Sequence, residues 1–136
     1  GTNYAELLEA AGGLKESGAE KMISGGPMMG FSMFDLNVPI TKTNSSLLCL
    51  SSDDVSHLEP SACINCGRCV EACPEMLVPS RLAKQANLKL GEEFEKWNGM
   101  ECIECGSCSF ICPARRPLAQ SIKTMKKDIL AARRKK

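Results

Sequence analysis

Residues Cys63 to Pro74 read CINCGRCVEACP, and Cys102 to Pro113 read CIECGSCSFICP, so the arrangement C-x2-C-x2-C-x3-C-P occurs twice. The two blocks hold eight of the nine cysteines in a chain of 136 residues. No other feature restricts the fold as much. A thiolate reacts, oxidises and binds metals, so eight of them in two identical patterns imply chemistry rather than packing. A chain of this length makes one ordinary domain or two small ones, and small domains bury too little apolar surface to fold easily without a cross-link or metal.

Three chemistries compete for the cysteines. Disulfides require an oxidising compartment and a framework of spaced cysteines, whereas these are crowded three residues apart. Structural zinc takes two C-x2-4-C pairs set well apart, one ion for four ligands. Three cysteines in immediate succession, followed by a fourth just before proline, is the bacterial [4Fe–4S] spacing. Its logic is a loop wrapped over one face of a cubane. Gly67 and Gly106 follow the second cysteine of each block, where the backbone has to approach the cluster closely. Two identical blocks favour two [4Fe–4S] clusters and a reducing, cytosolic-type compartment.

The cysteine after x3 is already leaving its loop, with Pro74 or Pro113 directing the chain away. In two-cluster ferredoxins that residue ligates the other cluster. The expected assignment is therefore crossed: Cys63, Cys66, Cys69 and Cys112 to one cluster, and Cys102, Cys105, Cys108 and Cys73 to the other. Cys49 lies on an apolar stretch and is expected to be a buried small hydrophobe. His57, the only histidine, is expected at the surface.

Two regions separate near residue 55. Residues 1–55 carry three Lys against seven acids, and residues 56–136 carry fourteen Lys or Arg against nine. Nine of those bases lie between Ala114 and Lys136, which is expected to be a solvated helical face. Nucleic acid is an unsuitable partner, because a basic groove for it wants stacking aromatics, and the second region has only Phe94, Trp97 and Phe110. No apolar run approaches a membrane span, and no secretory signal is visible; the start at Gly1 looks internal.

In the first region NYAELLEAAGG predicts a helix capped at Thr2 or Asn3 and stopped at Gly12. EKMIS predicts a short strand, GGPMMG (Gly25 to Gly30) a tight turn, and NVPITKTNSSLLCL an extended chain ending in a strand. Val at Gly26 is expected to damage that turn. SSDDVSHLEP (Ser51 to Pro60) predicts a linker. The second region is helical between the blocks, with breaks at Gly91 and Gly99. After the second block, Leu118, Ile122, Met125, Ile129 and Ala132 form one apolar stripe expected to pack on the cysteine-bearing core. Nothing supports a nucleophile–base pair, paired catalytic carboxylates or a phosphate loop.

ISGGPMMG, then VPITKTNSSLL, then two ferredoxin blocks with the continuation CPARRPLAQSIK resembles the C-subunit family of the Rnf electron-transport complex. The resemblance covers essentially all 136 residues. It implies an α+β chain: a partial β-grasp domain of the SLBB type with linker at residues 1–55, and an α-helical dicluster ferredoxin domain at 56–136. It further implies FMN and NADH sites in a preceding domain, so this stretch carries electrons without oxidising NADH itself. The implied partners are the other subunits of a membrane electron-transport complex and ferredoxin-type carriers. The implied place is peripheral, on the cytoplasmic face of the cell membrane, in an oxidoreductase coupled to ion transport. The cobalamin reductase of diol-utilising microcompartments shares the domain order and is an alternative parent. A metal-stapled structural module is the alternative from another class.

Overall fold

A computed structural model describes residues 1–15 and 18–135. The chain divides into two compact units, Gly1–Leu58 and Glu59–Lys136.

The first unit opens with α1 (Tyr4–Ala10), preceded by Asn3 in an extended conformation. Its end is set by Gly12 at φ 97°, with Gly12 N–H donating to the Glu9 carbonyl and Gly13 N–H to that of Leu8. This is the glycine stop expected from sequence, since only glycine takes that left-handed position without strain. Three short strands follow, β1 (Lys21–Ser24), β2 (Phe31–Met33) and β3 (Leu47–Leu50), in an antiparallel sheet of order β2-β1-β3. Strand β2 was not expected from the sequence; three residues too exposed to alternate leave little periodicity to read. Buried Tyr4 joins α1 to the sheet through its hydroxyl, 2.6 Å from Ser24 Oγ.

The turn between β1 and β2 does depend on glycine, though not at Gly26. A Cβ on Gly30 would lie 2.6 Å from the Gly26 and Ser24 carbonyls, and Gly25 sits at φ 99°. Around Gly26 there is open space. A Cβ at Gly26 therefore meets no clash, so the tight packing expected of this turn is found at Gly30 rather than at Gly26. Cys49 on β3 pairs with Met22 and is half-buried rather than fully buried.

Residues 51–58 are not a free linker, because side chains tie them to the first unit. Buried Asp53 pairs with Lys21, and its N–H donates to Glu20 Oε2 at 2.9 Å. Its hydrogen bond with the Lys21 ammonium holds the Asp53 carboxyl below its ordinary value of 3.8. Exposed His57 places Nε2 3.1 Å from Glu20 Oε1. These contacts belong to the compact unit that runs to Leu58.

The second unit holds five α-helices among its described residues: α2 (Arg68–Glu71), α3 (Pro79–Asn87), α4 (Gly91–Lys96), α5 (Ser107–Phe110) and α6 (Leu118–Arg134). The one-turn helices α2 and α5 belong to the cysteine blocks, and a 3-10 turn at Gly99–Glu101 follows α4. Proline at the first position starts α3 without losing a hydrogen bond. That helix ends at Asn87, and the left-handed residue that closes it is Lys89, not Gly91: Lys89 takes φ 55°, its N–H donates to the Ala86 carbonyl, and Leu90 N–H to that of Gln85. Gly91 opens α4 and lies against Met125 and Ile129 of α6.

Phe94, Leu82, Leu118 and Ile122 are fully buried, each contributing about 1.5–3 kcal/mol by leaving water. They form one core with Leu77, Met125 and Cys108, and Cys69, Cys73, Cys102 and Cys112 pack against it. The α6 stripe thus packs on the cysteine-bearing core, although its last member, Ala132, is exposed.

Candidate metal centres

The two blocks repeat in backbone as well as in sequence, with an offset of 39 residues. Asn65 and Glu104 take φ 54° and 60°, Gly67 and Gly106 take 78° and 84°, and Met76 and Arg115 take 50° and 51°. The hydrogen bonds repeat too. Val70 N–H donates to Gly67 and Ser109 N–H to Gly106, at 2.8 and 3.0 Å. Met76 N–H donates to Cys73 and Arg115 N–H to Cys112, at 3.2 and 3.0 Å. The helix after each block starts at the same offset, at Pro79 and at Leu118. Left-handed residues on either side of the second cysteine curl the loop so that its thiols face one side.

No disulfide joins any of the nine cysteines in this structure. Two partly open cavities take up the eight block cysteines. Cys63, Cys66 and Cys69 line the first together with Cys112. Cys102, Cys105 and Cys108 line the second together with Cys73. Each cavity therefore receives three thiols from one block and the departing thiol of the other. Among the described residues, no three Cys, His, Asp or Glu side chains gather to hold a single ion. Four thiols distributed around a cavity suit a cubane with four separate iron corners better than one tetrahedral zinc. The donor set fits the iron–sulfur reading.

The surroundings of the two sets differ. Cys63 and Cys66 are exposed, whereas Cys108 is buried and Cys102 and Cys105 are half-buried. Burial pushes the Cys108 thiol up to about 11, with Cys102 nearby adding to the shift. Burial also raises Cys102, offset by the Glu104 N–H, which donates to its sulfur at 3.4 Å, and by the charge of Lys126. Both shifts favour the protonated thiol over the thiolate, so metal ligation there works against burial. Lys126 Nζ donates to the Cys102 carbonyl and lies 3.3 Å from Glu104 Oε1, with Lys123 3.7 Å from Glu104 Oε2. Sequence reading missed this lysine, which it counted with the solvated face of the last helix. The i, i+3 spacing of Lys123 and Lys126 was visible, but not the acid they would meet.

Residues 56–113 match the family model described as a 4Fe-4S dicluster domain. The chain is 43% identical over 99% of its length to the C subunit of the Na(+)-translocating ferredoxin:NAD(+) oxidoreductase complex of Acetobacterium woodii. It is 42% identical over 97% of its length to the C subunit of the proton-translocating ferredoxin:NAD(+) oxidoreductase complex of Clostridium ljungdahlii. To the C subunit of the ion-translocating oxidoreductase complex of Methanosarcina acetivorans it is 35% identical over 96%. The chain spans 30%, 29% and 29% of those three relatives. Among the described residues no helix is long and apolar enough to cross a membrane.

Proposed function

We propose that this chain, homologous over nearly its whole length to C subunits of ion-translocating oxidoreductase complexes, is an electron-transfer module of such a complex. It relays single electrons through two [4Fe–4S] clusters within a ferredoxin:NAD oxidoreductase coupled to ion transport. The observation that carries this reading is the pair of cavities, each ringed by three thiols of one block and the fourth of the other.

The ligand assignment follows the cavity walls. Cys63, Cys66, Cys69 and Cys112 hold the first cluster, and Cys102, Cys105, Cys108 and Cys73 the second. Each cluster, once bound, supplies one reversible electron at a potential set by its surroundings. The residues do the rest. The left-handed turns aim the thiols inward, and the apolar core behind Cys108 excludes water on one side. Lys126 places a positive charge beside the second set, and Cys73 and Cys112 cross between loops and keep the two clusters neighbours, as electron hopping needs.

The FMN and NADH sites belong to a part of the protein outside this stretch. The first unit is read as part of a β-grasp domain of the SLBB type, supported by its helix and small antiparallel sheet. The expected place is the cytoplasmic face of the cell membrane, held peripherally by other subunits, with ferredoxin-type carriers as electron partners.

Iron and sulfide analysis of the anaerobically reconstituted chain tests the reading. About eight iron and eight sulfide per chain are expected, with a brown absorbance that bleaches on dithionite. Saturation near four iron rejects two clusters, and a colourless zinc protein rejects electron transfer.

A further inference from the structure

The two cavities differ in the charge around them. Apart from cysteine, the charged residues lining the second are Glu75 and Glu104, whereas the first has Arg116 alone. Beside the first cavity runs an open groove that shares Cys63, Asn65, Ser80 and Arg116 with the cavity wall. Its charged lining is Arg81, Lys84 and Arg116 against Glu93. Arg81 and Lys84 are exposed, one helical step apart on α3. The Arg81 guanidinium lies 3.5 Å from the centre of the Trp97 ring, which holds its planar donor fork in place before any partner arrives. A groove with three cations and one acid, opening onto an exposed cluster thiol, is placed for electron exchange with something negative.

We propose that this groove is the docking surface for an acidic electron-carrier protein, which exchanges electrons with the cluster held by Cys63, Cys66, Cys69 and Cys112. The proposal rests on the electron-transfer reading above. Charge complementarity selects the occupant: opposite charge steers a carrier to the groove and orients its cofactor toward Cys63, raising the encounter rate by about 10- to 1000-fold in steered systems. With the clusters bound, the step would be a one-electron exchange: the carrier would be oxidised by one electron and the cluster held by Cys63, Cys66, Cys69 and Cys112 reduced by the same electron.

The test uses the full chain with both clusters assembled anaerobically and a reduced, acidic two-cluster bacterial ferredoxin as probe. Stopped-flow absorbance gives the bimolecular rate at low and high salt for the parent chain, Lys84→Glu, Lys84→Glu with Arg116→Glu, and Lys127→Glu. Lys127 is exposed on α6 outside the groove and controls for net charge. The expected result is a loss of about tenfold or more in the double variant at low salt, a smaller loss in Lys84→Glu, and little change in Lys127→Glu. High salt should bring the four rates together. Exposed Lys84 carries the test alone if the double variant loses its clusters. Equal rates in all four chains overturn the proposal, as does an equal loss in Lys127→Glu. It also falls if the reversals spare the carrier rate but abolish binding to phosphatidylserine vesicles, which would make the groove a membrane contact. Reduction of the same samples by dithionite separates the failures. Clusters that dithionite reduces but whose carrier rate ignores the groove refute docking alone, and clusters that it cannot reduce refute the electron-transfer reading and docking together.

Discussion

The two cysteine blocks share a backbone and differ in what lies over it. From Cys63 to Met76 and from Cys102 to Arg115 the left-handed positions and turn hydrogen bonds coincide, residue for residue. The helices that follow do not. α3 stops after nine residues, just before a left-handed Lys89, whereas α6 runs for seventeen. Within the nine positions that the two helices share, the last is Lys126 in α6, which reaches the Cys102 carbonyl and Glu104. The position 39 residues earlier is Asn87, the exposed last residue of α3. Block spacing therefore sets the loop that carries the thiols, and the residues on the helix behind set what charge lies beside it. One loop geometry thus carries two sets of thiols of different exposure.

The largest expected effect concerns loss of iron. With Cys63 and Cys66 exposed and Cys108 8% exposed, oxidant and chelator reach the first set sooner. Slow oxidation should release iron in two phases, about half in each, followed by timed iron analysis and absorbance. Cys73→Ser should then reveal the crossing: it should disturb the slower phase, belonging to the Cys102 set, although Cys73 is a sequence neighbour of the faster one. A single phase would erase the difference between the blocks. Selective damage to the fast phase would return Cys73 to its own block.

Lys126→Met sharpens the comparison at the next level. The change removes a half-buried positive charge beside the second set and leaves the Glu104 carboxylate facing only Lys123. Both changes add negative potential, so the second cluster should become harder to reduce while the first holds its value in an EPR-monitored titration. Loss of a charged hydrogen bond to the Cys102 carbonyl should also cost about 1.5–3 kcal/mol of stability. Equal shifts of both clusters would mean that Lys126 acts through net charge rather than position.

Much of this was legible in the sequence because it depends on short-range rules. The blocks, the Gly12 stop, the β1 strand and the apolar stripe of the last helix each rest on spacing or on one residue's backbone preference. What escaped depends on distant partners. The turn that closes α3 uses Lys89, a residue with no special liking for the left-handed region, so Gly91 attracted the break that it does not make. Residues 51–58 have linker composition, yet Asp53 and His57 are held by Lys21 and Glu20, more than thirty residues away. Lys126 looked like one more solvated base until α6 was laid across the second block. The glycine requirement in GGPMMG was legible for the turn as a whole, with Gly26 as the position singled out for substitution. Only the fold shows that Gly30 is the residue pressed against two carbonyls.

The smallest expected effect is one in which the blocks should behave alike. Gly67 and Gly106 occupy the same left-handed region, at φ 78° and 84°, and each begins a one-turn helix through bonds to its own carbonyl. Alanine at either carries the left-handed penalty of an L-residue, roughly 1–2 kcal/mol. At Gly67 a Cβ would meet nothing within 4 Å, so backbone strain is the whole protein-side cost there. Gly106 is buried where Gly67 is exposed, so its alanine should cost at least as much as that at Gly67. Thermal unfolding of the reconstituted variants, with iron content measured beside it, reads the two costs. Similar losses with both clusters retained would mean that the blocks share one loop conformation. A loss at Gly67→Ala far above the strain penalty would mean that the open block depends on that glycine for more than its backbone, and the comparison between an open and a closed copy of one loop would have to be redrawn.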